Sequence, residues 1–296
     1  MRRLLLAVAM FGTATLAQAA DMPDFLRGSL TPVAPVARNW EGWYGGGHGD
    51  YSSSEIDFSR SVVSLTNFIF RNSTLQAPTS NFALLSKNHA QGTGFGGFVG
   101  RNYQWSDVVL GVEANYTYLT SLASSSQNTL SRAIVNPVGT VPPANHTYTY
   151  NTTLSGDAAL QIKDVLTFRG RAGWAAGAFL PYMFGGVAVG RMDVARSVSS
   201  NVSLRDDSVN ISIDPNGNIT TTPNPAVVTP IPSLTQSMRE QRTSSFVAGW
   251  TAGLGLEYCL WGSVFLRGEW EYIRFINIKD TAVSMNNVRA GIGYKF

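Results

Sequence analysis

Apolar and polar side chains alternate with a period of two along much of the chain after Trp43. In Asp107 to Leu119, Val108, Leu110, Val112, Ala114, Tyr116 and Tyr118 share one face, while Gly111, Glu113, Asn115 and Thr117 share the other. Leu166 to Trp174 repeats this, with Leu166, Phe168, Gly170, Ala172 and Trp174 opposite Thr167, Arg169, Arg171 and Gly173. Phe246 to Tyr258, Val264 to Tyr272 and the closing Asn287 to Phe296 alternate in the same way. Period two is the mark of strands with unlike faces. Three further strands are less clean. Trp43 to Ser53 is glycine-rich, with Tyr44, His48 and Asp50 on one face. Gly92 to Trp105 carries Arg101 in phase with Tyr103 and Trp105, which calls for a bulge or a snorkelling arginine. Leu180 to Met192 sets Phe184 on the interior side. The total is eight strands.

The connections alternate in length. Trp105 to Val108, Ala175 to Phe179 and Leu260 to Ser263 are short turns. Ser54 to Gln91, Thr120 to Leu160 and Asp193 to Thr243 are long segments rich in Ser, Thr, Asn and Pro, read as loops, and Arg274 to Met285 is a shorter fourth. Short turns at one end and long loops at the other describe an all-β, eight-stranded antiparallel transmembrane up-and-down β-barrel with long extracellular loops. A soluble periplasmic sandwich has no reason to segregate its loops. An even strand number returns both termini to the periplasmic side.

The first residues bear on the compartment. Arg2 and Arg3 precede the apolar run Leu4 to Phe11, and Ala17-Gln18-Ala19 has the small-x-small pattern of a cleavage site. Residues 1–19 are therefore expected to be a signal peptide, 20–42 a periplasmic leader with Pro23, Pro32 and Pro35, and 43–296 the barrel. Eight apolar residues cannot span a bilayer, which takes about 20. Without Arg2 and Arg3, the 22 basic residues become 20 against 19 acidic, a formal net of +1. That gives no basic face for a nucleic-acid partner. The charged content of 14% is low beside the roughly 25% of soluble domains. The single cysteine, Cys259, cannot form an intramolecular bridge and is expected to be inert near a periplasmic turn.

Tryptophan placement gives a check independent of alternation. Trp40 and Trp43 precede the first strand, and Trp105, Trp174 and Trp261 adjoin the short turns. Together they read as an interfacial aromatic girdle.

The charged residues of the polar faces are balanced. Asp50, Glu113, Glu257, Glu269 and Glu271 point inward with Arg169, Arg171, Arg267, Arg289 and Lys295. An eight-stranded lumen is just wide enough for side chains, and buried charges must pair. These ten residues read as an ion-pair network plugging the barrel, and the competing reading is the charged constriction of a channel. Catalytic, cofactor and metal sites are not expected. His48, His89 and His146 fall in no HExxH arrangement, nor does a serine follow any of them at two residues. Gly45-Gly46-Gly47 lacks the following helix and lysine of a phosphate loop.

Several of these segments resemble a known family. Trp40-Glu41-Gly42-Trp43-Tyr44-Gly45-Gly46 resembles the "NWTGFYxGG" opening of alphaproteobacterial outer-membrane surface antigens. Val109-Leu110-Gly111-Val112-Glu113-Ala114, Arg169-Gly170-Arg171-Ala172-Gly173, Leu180-Pro181-Tyr182 and Gly185-Gly186-Val187-Ala188 are similar to their inner strands. The ending Val288-Arg289-Ala290-Gly291-Ile292-Gly293-Tyr294-Lys295-Phe296 is similar to their "VRVGVNYKF". These outer membrane immunogenic or porin-family proteins are similar to the barrel half of OmpA. The resemblance implies a cell outer membrane location and a structural or surface-antigen role without catalysis. The alternative is a small diffusion porin. It also implies outer-membrane lipid and lipopolysaccharide as surroundings, and surface ligands met through the long loops. Tyr294 and Phe296 would then be the terminal signal read by the outer-membrane barrel assembly machinery.

Overall fold

The computed structural model describes residues 38–296; the expected signal peptide and the leader up to residue 37 lie outside the described residues. Ten strands run in chain order: β1 (Gly42–Asp57), β2 (Lys87–Trp105), β3 (Val108–Val135), β4 (His146–Trp174), β5 (Phe179–Ile213), β6 (Ile219–Pro223), β7 (Val227–Pro230), β8 (Ser237–Trp261), β9 (Val264–Phe275) and β10 (Ala282–Lys295). Eight form an antiparallel ring in the order β1-β2-β3-β4-β5-β8-β9-β10. β10 closes it on β1, from Tyr44 opposite Lys295 to Asp57 opposite Ala282. The short β6 and β7 pair with the far end of β5.

The alternation becomes two surfaces. Val99, Val112, Phe168, Val187, Leu254, Val288 and Ile292 stand exposed on the outside, while Glu113, Arg169, Thr251 and Arg289 are buried inside. A continuous exposed apolar band of this kind belongs against hydrocarbon. Arg101 sits on the outer face without any register shift between β2 and β3. Its guanidinium lies 5.5 Å from the Trp43 ring centroid and 4.9 Å from that of Tyr103, so the arginine snorkels and no bulge is needed.

The expected long loops are mostly strand, which corrects the sequence reading. β3 continues to Val135, β4 starts at His146, and β5 and β8 extend to Ile213 and from Ser237. Register shifts at Tyr118/Leu122, Ile162/Asp164 and Met192/Val194 line up across these strands, because Leu122 faces Ile162 and Ile162 faces Met192. Aligned bulges bend a sheet. Above them, β3, β4, β5 and β8 continue as a wall that the other four strands do not share.

The first expected loop is a cap. Two short helices, α1 (Val63–Ile69) and α2 (Gln76–Ser80), lie between β1 and β2. Val62, Leu65, Ile69, Phe70, Leu75, Phe82, Leu84 and Leu85 pack in one core with Leu154, Leu160, Val194, Val198 and Val202 of the wall. The wall thus has an apolar inner face, and burying it against the cap holds both in place.

Candidate functional site

Inside the ring the side chains form layers. At the periplasmic end, Trp40, Tyr44, Phe98, Tyr182, Phe184 and Phe265 make a buried aromatic cluster. Neighbouring inward positions are glycine because the rings need the space. A Cβ at Gly255, Gly253 or Gly293 would overlap the ring of Tyr182, Phe184 or Phe265 respectively. Residues 38–41 cross this mouth. The Trp40 backbone N–H donates to Gln104 at 2.6 Å, Asn102 donates to the Trp40 carbonyl, and the indole meets Phe265 edge-on. Beneath the segment is a recess of about 20 Å³ bordered by Cys259, Glu257 and Lys295, roughly the space of one water.

Above the aromatics lies a connected layer of charge. Glu113 is its centre. It accepts from Arg169 at 2.5 Å and from the Tyr44 hydroxyl at 2.8 Å, and it sits 2.8 Å from Arg267 and 3.4 Å from Arg171. Arg169 also reaches Glu269 at 2.6 Å, and Glu257 accepts from both Arg171 (2.8 Å) and Arg267 (2.5 Å). Farther up, Arg289 bridges Glu271 at 2.6 Å and Asp50 at 3.3 Å. These charged side chains are all 2% exposed or less. Five acids face four arginines, and neutral donors serve the remaining lone pairs: Tyr182 to Glu269, Thr251 to Glu271, Ser52 to Asp50 and Asn287 to Glu271. Every carboxylate here is held by charge-assisted hydrogen bonds, which are the strong kind. The arginines also sit over rings, the guanidinium of Arg267 at 3.8 Å from the Phe98 centroid and that of Arg169 at 4.0 Å from the Phe184 centroid.

Nine of the ten expected interior charges therefore converge. Lys295 does not. It lies at the periplasmic mouth, where its ammonium donates to the Asn39 carbonyl, because the last inward position of β10 is already past the ionic layer. Trp40 is a second correction. It is 4% exposed and stops the mouth, whereas Trp43, Trp105, Trp174 and Trp261 are exposed on the outside. Nearness to a turn places a residue at a rim but does not choose its face. Tyr294 and Phe296 lie at the outer periplasmic rim, their rings 5.3 Å apart, and the Phe296 N–H donates to Trp43 across the seam. Tyr44 and Phe184 lie on the inward faces read from the sequence, and Phe98, Tyr182, Phe265, Thr251 and Asn287 complete the layers beyond that reading. Inward phase with the charged residues was the signal for them.

His48 is inside the barrel, 3.1 Å from the Thr117 hydroxyl, and His146 lies 2.8 Å from Asp206 among the outer strands. Among the described residues no group of three or more His, Cys, Asp or Glu side chains is placed to hold a metal ion.

A second cluster latches the cap. Arg196 of β5 is buried and donates to the carbonyls of Ser61 and Lys279 and to Glu240, the last at 2.6 Å. Lys279 meets Glu240 at 2.5 Å, and Ser61 shares a 2.7 Å hydrogen bond with Thr281. One carboxylate thereby ties β8 to β5 and to the β9–β10 connection, and Arg196 carries the tie on to the cap. Hydrogen bonds from Lys279 and Arg196 hold the Glu240 carboxyl down at about 2.

The family that the sequence matches agrees with this architecture. Residues 4–296 match the family model for the outer membrane protein beta-barrel domain. The chain is similar to the 25 kDa outer-membrane immunogenic protein of Brucella ovis, at 45% identity over 53 residues. The match spans 18% of this chain and 24% of that protein. Among solved structures it is similar to Ail, the attachment invasion locus protein of Yersinia pestis, crystallised with the heparin analogue sucrose octasulfate (10% identity, TM-score 0.32, covering 86% of this chain and 99% of that one). It is also similar to Neisserial surface protein A (12%, 0.29, 86% and 97%). The chain belongs to the outer membrane protein beta-barrel domain family, and its place is the cell outer membrane.

Proposed function

We propose that this protein is a closed structural barrel and surface antigen, one that anchors a rigid extracellular wall and cap without catalysis and without a steady conducting path. The observation that carries this reading is the charge layer. Its arginine and glutamate side chains are 2% exposed or less and bonded to one another both between neighbouring strands and across the lumen. An aromatic stopper lies below it and an apolar core above. An ion entering would have to break several buried charge-assisted bonds at once. Partners would be met through the wall and cap, because exposed connecting segments carry recognition. Export through a signal peptide ending at Ala19, and assembly through Phe296, belong to the same proposal.

Planar-bilayer recording tests it. Purified barrels are expected to give no regular steps at applied voltage. Large, ohmic, evenly sized steps would instead favour the diffusion porin.

A further inference from the structure

The outer face of the extracellular wall changes character with height. Below the aligned bulges it is apolar, with Tyr118, Val187 and Phe246 exposed. At the bulges it is ionic: Lys163 bridges Asp193 at 2.8 Å, and Arg191 pairs with Asp164. Above them it is mostly uncharged and small, with Asp157 and Arg239 in its middle row and Asp193 and Arg242 at its lower edge. One cross-strand row reads Ser125, Ala159, Ala195 and Gln241, in register over β3, β4, β5 and β8. Four residues higher along the strands the row reads Thr129, Ser155, Ser199 and Ser237. Between them lies Gln127, Asp157, Ser197 and Arg239. Two shallow troughs of about 360 and 390 Å³ run across these rows.

A protein wall bathed only in water carries roughly 25–35% charged residues. Of these twelve outward positions one is acidic and one basic. Hydroxyls are paired into a ladder, Thr129 with Ser155 and Ser131 with Thr153, both at 2.8 Å. Rows separated by two residues are about 6.6 Å apart, and four strands extend the surface by about 14 Å. Such a surface offers donors and acceptors at fixed spacing, with small alanines between them that admit the apolar face of a sugar ring.

We infer that this face is the docking surface for the saccharide chain of neighbouring lipopolysaccharide. The inference rests on the outer-membrane location and is independent of whether the lumen conducts. The occupant follows from continuity. The wall prolongs the lipid-facing surface without a break, so what lies beside it is whatever lies above the hydrocarbon of the outer leaflet. The vertical order of apolar, ionic and mostly uncharged hydroxyl surface matches acyl chains, phosphorylated headgroups and sugars. A free or foreign polysaccharide has the same chemistry but lacks the anchoring that brings it to this height.

Spin labelling tests this. A nitroxide at Asn201→Cys in a Cys259→Ser background stands on the outer face at the edge of the upper trough, and one at Ser64→Cys on the cap serves as reference. The protein is reconstituted in vesicles of full-length lipopolysaccharide or of deep-rough lipopolysaccharide stripped of its core and O-chain sugars. The label at 201 is expected to be immobilised only with the full-length form, and the label at 64 in neither. Filling the upper trough by Ser155→Trp with Ser197→Trp, two of its lining residues, should abolish the immobilisation, a heat-shift gel verifying that the barrel has formed. The wild-type comparison stands without that variant. Equal mobility at 201 in both vesicles would overturn the inference, as would equal slowing at 64. So would equal immobilisation in deep-rough vesicles by added free O-polysaccharide.

Discussion

Replacing Glu113 with alanine removes the carboxylate that Arg169, Arg171 and Arg267 share, yet none of the three is left alone. Arg169 keeps Glu269 at 2.6 Å, and Arg171 and Arg267 keep Glu257 at 2.8 and 2.5 Å. Breaking one partner of a buried pair costs about 3–5 kcal/mol, and the retained contacts put Glu113→Ala at the lower end. The same holds for Glu257→Ala, because Glu113 still faces Arg171 at 3.4 Å and Arg267 at 2.8 Å. Removing both strips Arg171 of its carboxylates and leaves Arg267 only Glu269 at 3.6 Å. The double variant should therefore lose more than the two singles combined, by about 1 kcal/mol or more. Glu113→Ala with Asp50→Ala provides the control, since Asp50 pairs with Arg289 alone and that pair of changes should add within about 0.5 kcal/mol. Urea unfolding in detergent micelles, followed by β-type circular dichroism and gel mobility, gives both cycles. Equal coupling in the two would refute the shared-arginine reasoning.

Glu240 is held at about 2, below an ordinary carboxyl near 4.5, so its stabilisation is full above about 4.5 and lost as pH falls toward 2. Limited proteolysis of the cap should be the same at pH 7 and pH 5, rise only in stronger acid, and lose that dependence in Glu240→Gln. Deleting Phe296 removes one N–H bond to Trp43 and an exposed ring, so refolding in detergent should stay near normal while outer-membrane yield collapses. Normal outer-membrane levels would remove the assembly-signal role. Gly255→Ala should destabilise the barrel by about 1–3 kcal/mol through overpacking, because its Cβ would overlap the Tyr182 ring. A stability matching wild type in the same unfolding assay would show that the ring can yield.

The membrane part of the fold was legible because lipid exaggerates alternation. In Leu166 to Trp174 an arginine follows an aromatic, so the contrast between faces is large. The wall alternates as faithfully, with Leu154, Ala158 and Leu160 inward and Ser155, Asp157 and Ala159 outward. There the contrast is between small residues, and Ser, Thr and Asn composition read as loop. The cap was hidden for a different reason. α1 has seven residues, no capping side chain and no acid in its first turn, so none of the usual helix-start signals was present. It is held by tertiary burial against strands far along the chain. Pairing of interior charges followed from barrel width, but which arginine meets which glutamate depends on register, which alternation does not fix.

The seam between β1 and β10 sets a timetable. Hairpins such as β2–β3 and β8–β9 join neighbours in sequence and can form as soon as both strands exist. Asp50 and Arg289, which meet across the seam, are 239 residues apart. Loop-closure entropy makes such a contact late and slow. Until it forms, Arg289 lacks its Asp50 partner and two sheet edges stand open in the middle of the bilayer, where unpaired backbone groups are most costly. Ring closure and completion of the charge layer are thus one event, and the chain passes from an open, sticky sheet to a sealed barrel in its last step.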